Sequence, residues 1–470
     1  MKDYTNISRI YFIGIGGIGM SALAKYYLSK NAIVSGYDKT ATPLTRQMES
    51  DGIKIHYEDS LELLDKDAQL VVYTPAVPKD HNEFNYYLNN NYEVIKRSAL
   101  LGEITKSTFN ICIAGTHGKT TISTMVAHIL TDSGFGCNAF LGGISVNYNT
   151  NFWSSNNNVA VVEADEYDRS FLKLSPDVAL ISAMDADHLD IYGTKENMEK
   201  AFIDFSGRLK NDGLLLTNYA LNSYPFSAHN HIRYSLKNNN ADAFADNINI
   251  SDGGYEFDVV TEGWSMKNIR LNMGGMHNVE NAVAAITIAH HLNIEESKIK
   301  KAVGNFQGVK RRFEYIISPG KGERDSSQND LIFIDDYAHH PQELNALISG
   351  AKNLFGDRKC TIIFQPHLFS RTKDFVHEFA ESLDNADEVL ILPIYPAREL
   401  PIEGVTSNMI VQFMKNKNVR VVSKEDVMDF VQNIFVKIKD HEPAKLLITA
   451  GAGDIDKLVQ TIKEILLNKF

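Results

Sequence analysis

Cysteine is scarce in this chain: Cys112, Cys137 and Cys360 are its only three, odd in number and widely spaced. They indicate neither a disulfide framework nor a Cys-x-x-Cys metal site, and all three are expected as buried thiols in a reducing compartment. A basic excess is also missing. The 47 Lys and Arg are outnumbered by 59 Asp and Glu, a formal net charge of -12, so the basic stripe that nucleic acid demands is absent and no such partner is expected. Small phosphate ligands stay open, because they need only local backbone donors and one or two cations. No run approaches the ~18 apolar residues of a membrane span, and residues 1–8 lack a charged segment followed by an apolar stretch. The protein is expected to be cytoplasmic, without membrane insertion. No His-Glu-x-x-His occurs, which removes support for zinc hydrolase chemistry.

What is present is ordinary globular composition, 44% apolar and 23% charged, in 470 residues. That length exceeds one core and predicts two to four domains. Apolar runs that stop at glycines and lead into helical patterns recur along it. Residues 9–16 read as strand and glycine loop before a helix. Further buried parallel strands are expected at 33–37 and 69–74. This α/β module covers residues 1–108. A second βα unit starts at Phe109, with strands expected at 159–162 and 178–181, β-like pieces through 235–273 and a helical pattern from Asn278 to His291. It is closed at residue 315. A polar Gly/Ser-rich stretch between Ser318 and Asp330 reads as an exposed hairpin loop. Strands are then expected at 331–334, 360–364, 388–392, 420–422 and 445–449, giving a third α/β domain over 316–470. His290 and His291, within a helical run, are given no functional role.

The sharpest motif is Gly115-Thr116-His117-Gly118-Lys119-Thr120-Thr121, after a strand and before a helix. Glycines turn backbone amides toward a phosphate, a lysine supplies a cation for the β and γ oxygens, and a threonine hydroxyl can hold Mg2+. Only the short Gly-x-x-Gly-Lys-Thr form is present, with Ile113 where the longer pattern starts. Lys119 is expected as an exposed loop cation. A second cradle, Gly14-x-Gly16-Gly17-x-Gly19, fits the dinucleotide fingerprint, with Asp38 about twenty residues on where a ribose-binding acid would sit. Alone it admits NAD, another nucleotide or a nucleotide sugar. Two cradles in successive domains suit two phosphorylated ligands better than one NAD. Acidic clusters at Glu163, Asp165, Glu166 and Asp168, and at Asp185, Asp187 and Asp190 around His188, follow strands and read as Mg2+ sites. In the third domain Asp335, Asp336, Tyr337, His339 and His340 follow one strand, and His367 and Arg371 follow another, at the mouth of the expected sheet.

Taken with His277 to Asn281, Arg311 to Glu314 and Gly451 to Ile455, these segments resemble, in order and spacing, the Mur ligase family over essentially the whole chain. Within it they are similar to the branch that adds L-alanine to UDP-N-acetylmuramate in cell-wall synthesis. The resemblance implies three α/β domains: an N-terminal Rossmann-like nucleotide-sugar domain, a central P-loop ATPase-like domain with a mixed sheet, and a C-terminal Rossmann-like domain. It implies ATP and Mg2+, the substrates UDP-N-acetylmuramate and L-alanine, and a monomer or homodimer.

Site roles follow position by position. Gly115 to Thr121 would hold the ATP phosphates, with Thr120, Glu163 and His188 on metal. Asn278 and Asn281 would meet adenine, and Arg312 and Asp336 the ribose and phosphates. Gly14, Gly16, Gly17, Gly19 and Asp38 would bind the UDP part. Tyr337, His339, His367 and Arg371 would line the amino-acid pocket. Lys119, His188 and His339 are the expected catalytic residues, with either histidine as the general base. Leu368 stands where many of these ligases have arginine, so any role of that arginine is not carried over. A ligase that adds a whole peptide to the same sugar nucleotide, and more distantly an NAD-dependent oxidoreductase, are the alternatives.

Overall fold

The computed structural model describes all residues except 1–3, 5, 186–188, 319–330, 398, 436–443 and 470. The expected hairpin loop between Ser318 and Asp330 and the expected metal ligand His188 therefore lie outside the described residues.

Three sheets organise the chain. The first holds β1 (Arg9–Ile13), β2 (Ile33–Tyr37), β3 (Lys54–His56), β4 (Leu70–Tyr73) and β5 (Val94–Lys96) in the order β3-β2-β1-β4-β5. All of its pairs are parallel. Ile10 to Ile13 are fully buried, as a central strand covered on both faces requires.

The second sheet is mixed. Its strands are β6 (Phe109–Ala114), β7 (Asn138–Ser145), β8 (Thr150–Trp153), β9 (Val159–Glu163), β10 (Val178–Ile181), β11 (Leu214–Asn218), β12 (Asn230–Ser235), β13 (Ala243–Ser251), β14 (Gly254–Thr261) and β15 (Ser265–Leu271). The order is β15-β14-β13-β12-β11-β10-β6-β9-β7-β8. The pairs of β6 with β9 and β10 are parallel, and β7 with β8 is an antiparallel hairpin. The third sheet contains β16 (Glu314–Ile317), β17 (Leu331–Asp336), β18 (Lys359–Phe364), β19 (Glu388–Ile391), β20 (Val419–Val421) and β21 (Lys445–Ala450). It is parallel in the order β16-β17-β21-β18-β19-β20 apart from antiparallel β16. Residue 315 thus falls inside β16, paired to Ile334 of the third sheet.

By compactness the chain divides into two units, one of residues 1–246, 258–269 and 280–306, the other of 247–257, 270–279 and 307–470. Within the first, the helix Ile18–Ser29 buries Met20 to Tyr27, and Tyr26 meets Phe140 of β7 and Phe152 of β8 at ring-centroid distances of 5.4 and 6.1 Å. Such aromatic pairs add to the stabilisation from area burial. Cys112, Cys137 and Cys360 are all buried and free, and burial pushes Cys137 and Cys360 up to about 12. Among the described residues no helix is long and apolar enough to cross a membrane.

Candidate active site

In the first unit, β6 runs into the loop before the helix Lys119–Asp132. Gly115 adopts φ +127°, and a Cβ there would stand 2.8 Å from the Ala183 nitrogen, so a side chain is excluded both conformationally and by space. The loop is tied to the exit of β10: Thr116 N donates to the Ala183 carbonyl at 3.0 Å, and Asp185 N donates to the Thr116 hydroxyl at 3.1 Å. His117 is exposed, 3.4 Å from the Asp185 carboxylate. Gly118, at φ +81°, opens the helix, and Thr120 and Thr121 lie buried in its first turn. Asn281 adjoins the loop, its Oδ1 2.9 Å from where a Gly118 Cβ would project.

The acids after β9, expected at a Mg2+ site, each have a different partner. Glu163, at the end of β9, accepts from the Thr120 hydroxyl at 2.8 Å and from Gly142 N at 2.7 Å. Asp165 pairs with Arg97 at 3.3 Å, Asp168 with Lys96 at 3.5 Å. Glu166, only 1% exposed, takes the Lys119 ammonium at 2.8 Å, and Lys119 also donates to the Gly115 carbonyl at 2.6 Å. Lys119 is therefore not the exposed loop cation expected: its side chain is 16% exposed, because the carboxylate behind the loop draws it inward. Burial holds Glu166 above the usual carboxylate range, with Lys119 opposing.

The first glycine loop closes on its own acid. Asp38 accepts from Gly16 N at 2.7 Å and from Thr40 N at 3.1 Å, while Gly14 N and Ile15 N donate to the Tyr37 carbonyl. Gly17 is the N-cap of the helix Ile18–Ser29 and brings no side chain to it. A cleft of about 360 Å³ is lined by Gly17 and Gly19 from this loop, by Leu141 and Gly142 from β7, and by Arg97, Glu163 and Asp165. Sequence reasoning missed Arg97 and Gly142, and named Glu166 without its partner.

The second unit gathers the third-domain residues at the end of β17. Asp336 accepts from Phe313 N at 2.6 Å and Ala338 N at 2.7 Å, yet burial still pushes it up to about 6. Asp335 accepts from the Thr449 hydroxyl at 2.6 Å and is pushed up to about 7 by burial, against the nearby Arg311 guanidinium. That guanidinium stands 3.4 Å from Asp335 and 5.0 Å over the Tyr337 ring, so Arg311, given no role in the sequence, is built into this corner. Arg312 acts at longer range, its charge opposing the rise of Asp336. Asn278 is buried and donates to the Gly274 carbonyl at 2.7 Å.

Tyr337, His339, His367 and Arg371 do come together. Ring centroids of Tyr337 and His339 are 5.2 Å apart, those of His339 and His367 5.9 Å, and Arg371 Nη1 is 3.4 Å from His367 Nδ1. Tyr395, unread in the sequence, stacks on His367 at 5.9 Å. Leu368 holds φ +70°, its N–H donating to the Tyr395 carbonyl at 2.9 Å. His339 Nδ1 faces the Tyr337 carbonyl at 3.0 Å. Since a carbonyl only accepts, Nδ1 carries the proton and Nε2 is left as the basic nitrogen. Burial lowers the pKa of both histidines.

Three family models match in series: the Mur ligase family, catalytic domain over residues 9–108, the Mur ligase middle domain over 113–289, and the Mur ligase, glutamate ligase domain over 311–453. The chain is 45% identical to UDP-N-acetylmuramate--L-alanine ligase of Cytophaga hutchinsonii, over 98% of this chain and 97% of that one. It is likewise 45% identical to the protein of that name from Flavobacterium johnsoniae, over 99% of each. Among solved structures, a UDP-N-acetylmuramate-alanine ligase of Thermotoga maritima is similar with a TM-score of 0.80 at 29% identity, covering 98% of this chain and 100% of that one. A murein peptide ligase of Psychrobacter arcticus shares the fold at a TM-score of 0.63 and 23% identity, covering 98% of both chains. With its domains matched in series and relatives aligned from end to end, the chain belongs to the Mur ligase family.

Proposed function

We propose that the chain joins L-alanine to the lactyl carboxylate of UDP-N-acetylmuramate with ATP, releasing ADP and phosphate, in peptidoglycan synthesis. The observation that carries this reading is a cleft lined by both the first glycine loop and Glu163, the carboxylate beside the P-loop threonine. One ligand held at Gly17 and Gly19 reaches the place where a second nucleotide's phosphates would lie. A dinucleotide oxidoreductase has no use for that second cradle, and full-length relatives at 45% identity bear the alanine ligase name.

A carboxylate does not lose oxide to an amine, so a better leaving group is needed. The lactyl carboxylate attacks the γ-phosphate in line, forming an acyl phosphate and ADP. Gly115 to Thr121 cradle the phosphates, and Lys119 leaves Glu166 to neutralise the transferring group. Thr120 and Glu163 offer hydroxyl and carboxylate oxygens 2.8 Å apart, hard donors suited to Mg2+. The ion, when bound, offsets negative charge on the phosphoryl oxygens. The alanine amine then attacks the acyl carbon and phosphate departs. His339 Nε2 accepts the amine proton, because burial keeps the ring neutral and Nδ1 is engaged by the Tyr337 carbonyl. Tyr337, His367 and Arg371 frame the amino acid, and Asn281 and Asn278 the adenine, with Arg312 and Asp336 on the ribose and phosphates.

Calorimetry tests the two-cradle reading. The protein should bind UDP-N-acetylmuramate without ATP and give no heat with NAD or NADP. Tight NAD binding would reopen the oxidoreductase alternative.

A further inference from the structure

The β7–β8 hairpin touches both cradles through polar contacts rather than packing alone. Asn151 of β8 is fully buried and directs its Nδ2 group at two atoms of one helical turn, the Ile18 carbonyl at 2.6 Å and the Ser21 hydroxyl oxygen at 2.9 Å. Both belong to the first turn after the glycine loop. Its Oδ1 accepts from Lys25, one turn further on, at 3.3 Å, and the neighbouring Thr150 hydroxyl accepts from the same ammonium at 3.0 Å. Lys25 is itself buried, and burial lowers its pKa. A buried amide bonded on both its ends has one orientation, which an apolar contact of equal area would not impose.

On the other strand, pairing with β8 is regular at Ala139 and Phe140 and shifts register before Ser145. That irregularity contains Gly142, whose N–H points at Glu163 Oε2 at 2.7 Å. Bulges of this kind re-aim a backbone group. A Cβ on Gly142 would collide with the Glu163 carboxylate, so the approach requires glycine. Glu163 in turn holds the Thr120 hydroxyl. One strand of the hairpin thus holds the first turn after the glycine loop through Asn151, and the paired strand holds the carboxylate beside the P-loop through Gly142.

We infer that Asn151 is a positioning residue: it fixes the sugar-nucleotide loop relative to Glu163, so that the substrate carboxylate and the γ-phosphate meet in line. The inference rests on the ligase reading above. A displacement of about an ångström at a reacting pair costs on the order of a hundredfold in rate, while each ligand separately still finds its own cradle.

Asn151→Asp is the discriminating variant, since it keeps the volume and the acceptor for Lys25 but removes the donors to Ile18 and Ser21. Its kcat should fall about 30- to 100-fold, while calorimetric Kd values for UDP-N-acetylmuramate alone and for Mg·ADP alone stay within about threefold. Should this variant fail to fold, Ser21→Ala removes one of the two acceptors, and its kcat should fall roughly 3- to 10-fold with both Kd values held. A lowered melting temperature with wild-type kcat would overturn the inference and leave Asn151 a packing residue. So would a loss confined to sugar-nucleotide affinity. Wild-type protein assayed in parallel separates the two claims, because no turnover there would sink the ligase reading itself.

Discussion

Lys119 of the P-loop and Glu166 form an ion pair at 2.8 Å in which the carboxylate, not the lysine, is the buried partner. Removing the lysine therefore does two things. It deletes the phosphate cation, and it leaves a buried carboxylate without its counter-charge, which costs about 3–5 kcal/mol when a buried pair is broken from one side. Lys119→Ala should abolish turnover and also lower stability in urea unfolding. The double variant Lys119→Ala/Glu166→Gln should recover most of that stability and none of the turnover. Equal stability of the wild type and Lys119→Ala would mean that the pair carries no weight in the fold.

Glu163→Ala withdraws the acceptor shared by the Thr120 hydroxyl and Gly142 N. The Mg2+ concentration for half-maximal activity should rise at least about tenfold, since one charged oxygen is lost from a hard-cation site. An unchanged Mg2+ titration places the metal elsewhere.

Much of this was readable because the chemistry constrains the residue type. Gly115, with φ +127° and the backbone of Ala183 against it, has to be glycine, and a Gly-Lys-Thr run after an apolar strand leaves few other interpretations. Buried strands such as β1, β6, β10 and β21 announce themselves as continuous apolar runs. The three-residue strands β3 and β5 do not, being too short to show a pattern. Nor does the β7–β8 hairpin, whose paired glycines and many asparagines look like loop while tertiary pairing makes them strand. Arg311 and Arg312 are indistinguishable in sequence. Positive φ at Arg311 and Phe313 breaks the local periodicity and turns Arg311 toward Asp335 and Tyr337. The burial of Glu166 had no local signal, because it depends on where Lys119 folds back.

Asp335 gives the fold a pH dependence of definite sign. Its carboxyl is raised from 3.8 to about 7 in the folded protein, so the folded state retains a proton that the unfolded chain releases. Stability from this group is complete below pH 4 and is lost as pH rises to 7, with a slope of at most about 1.4 kcal/mol per pH unit. Asp335→Asn keeps an acceptor for Thr449 and removes the titration. Calorimetric melting of the variant should be flatter than wild type across that window. Parallel pH profiles would contradict the assignment.

Gly16→Val probes the first cradle. A Cβ there would lie 2.8 Å from both the Asp38 carboxylate and Thr45 Cγ2, displacing the acid that holds the Gly16 amide. The KM for UDP-N-acetylmuramate should rise far more than that for ATP. Equal losses for both substrates would contradict two separate cradles.

Phosphate release with UDP-N-acetylmuramate and ATP, scanned across L-alanine, glycine, L-serine and the tripeptide, decides whether the chain is an alanine ligase. Release should depend on both the sugar nucleotide and an amino acid, be fastest with L-alanine, and yield one phosphate per amide formed. Release driven by the tripeptide and not by L-alanine, or none with all three substrates present, would contradict it.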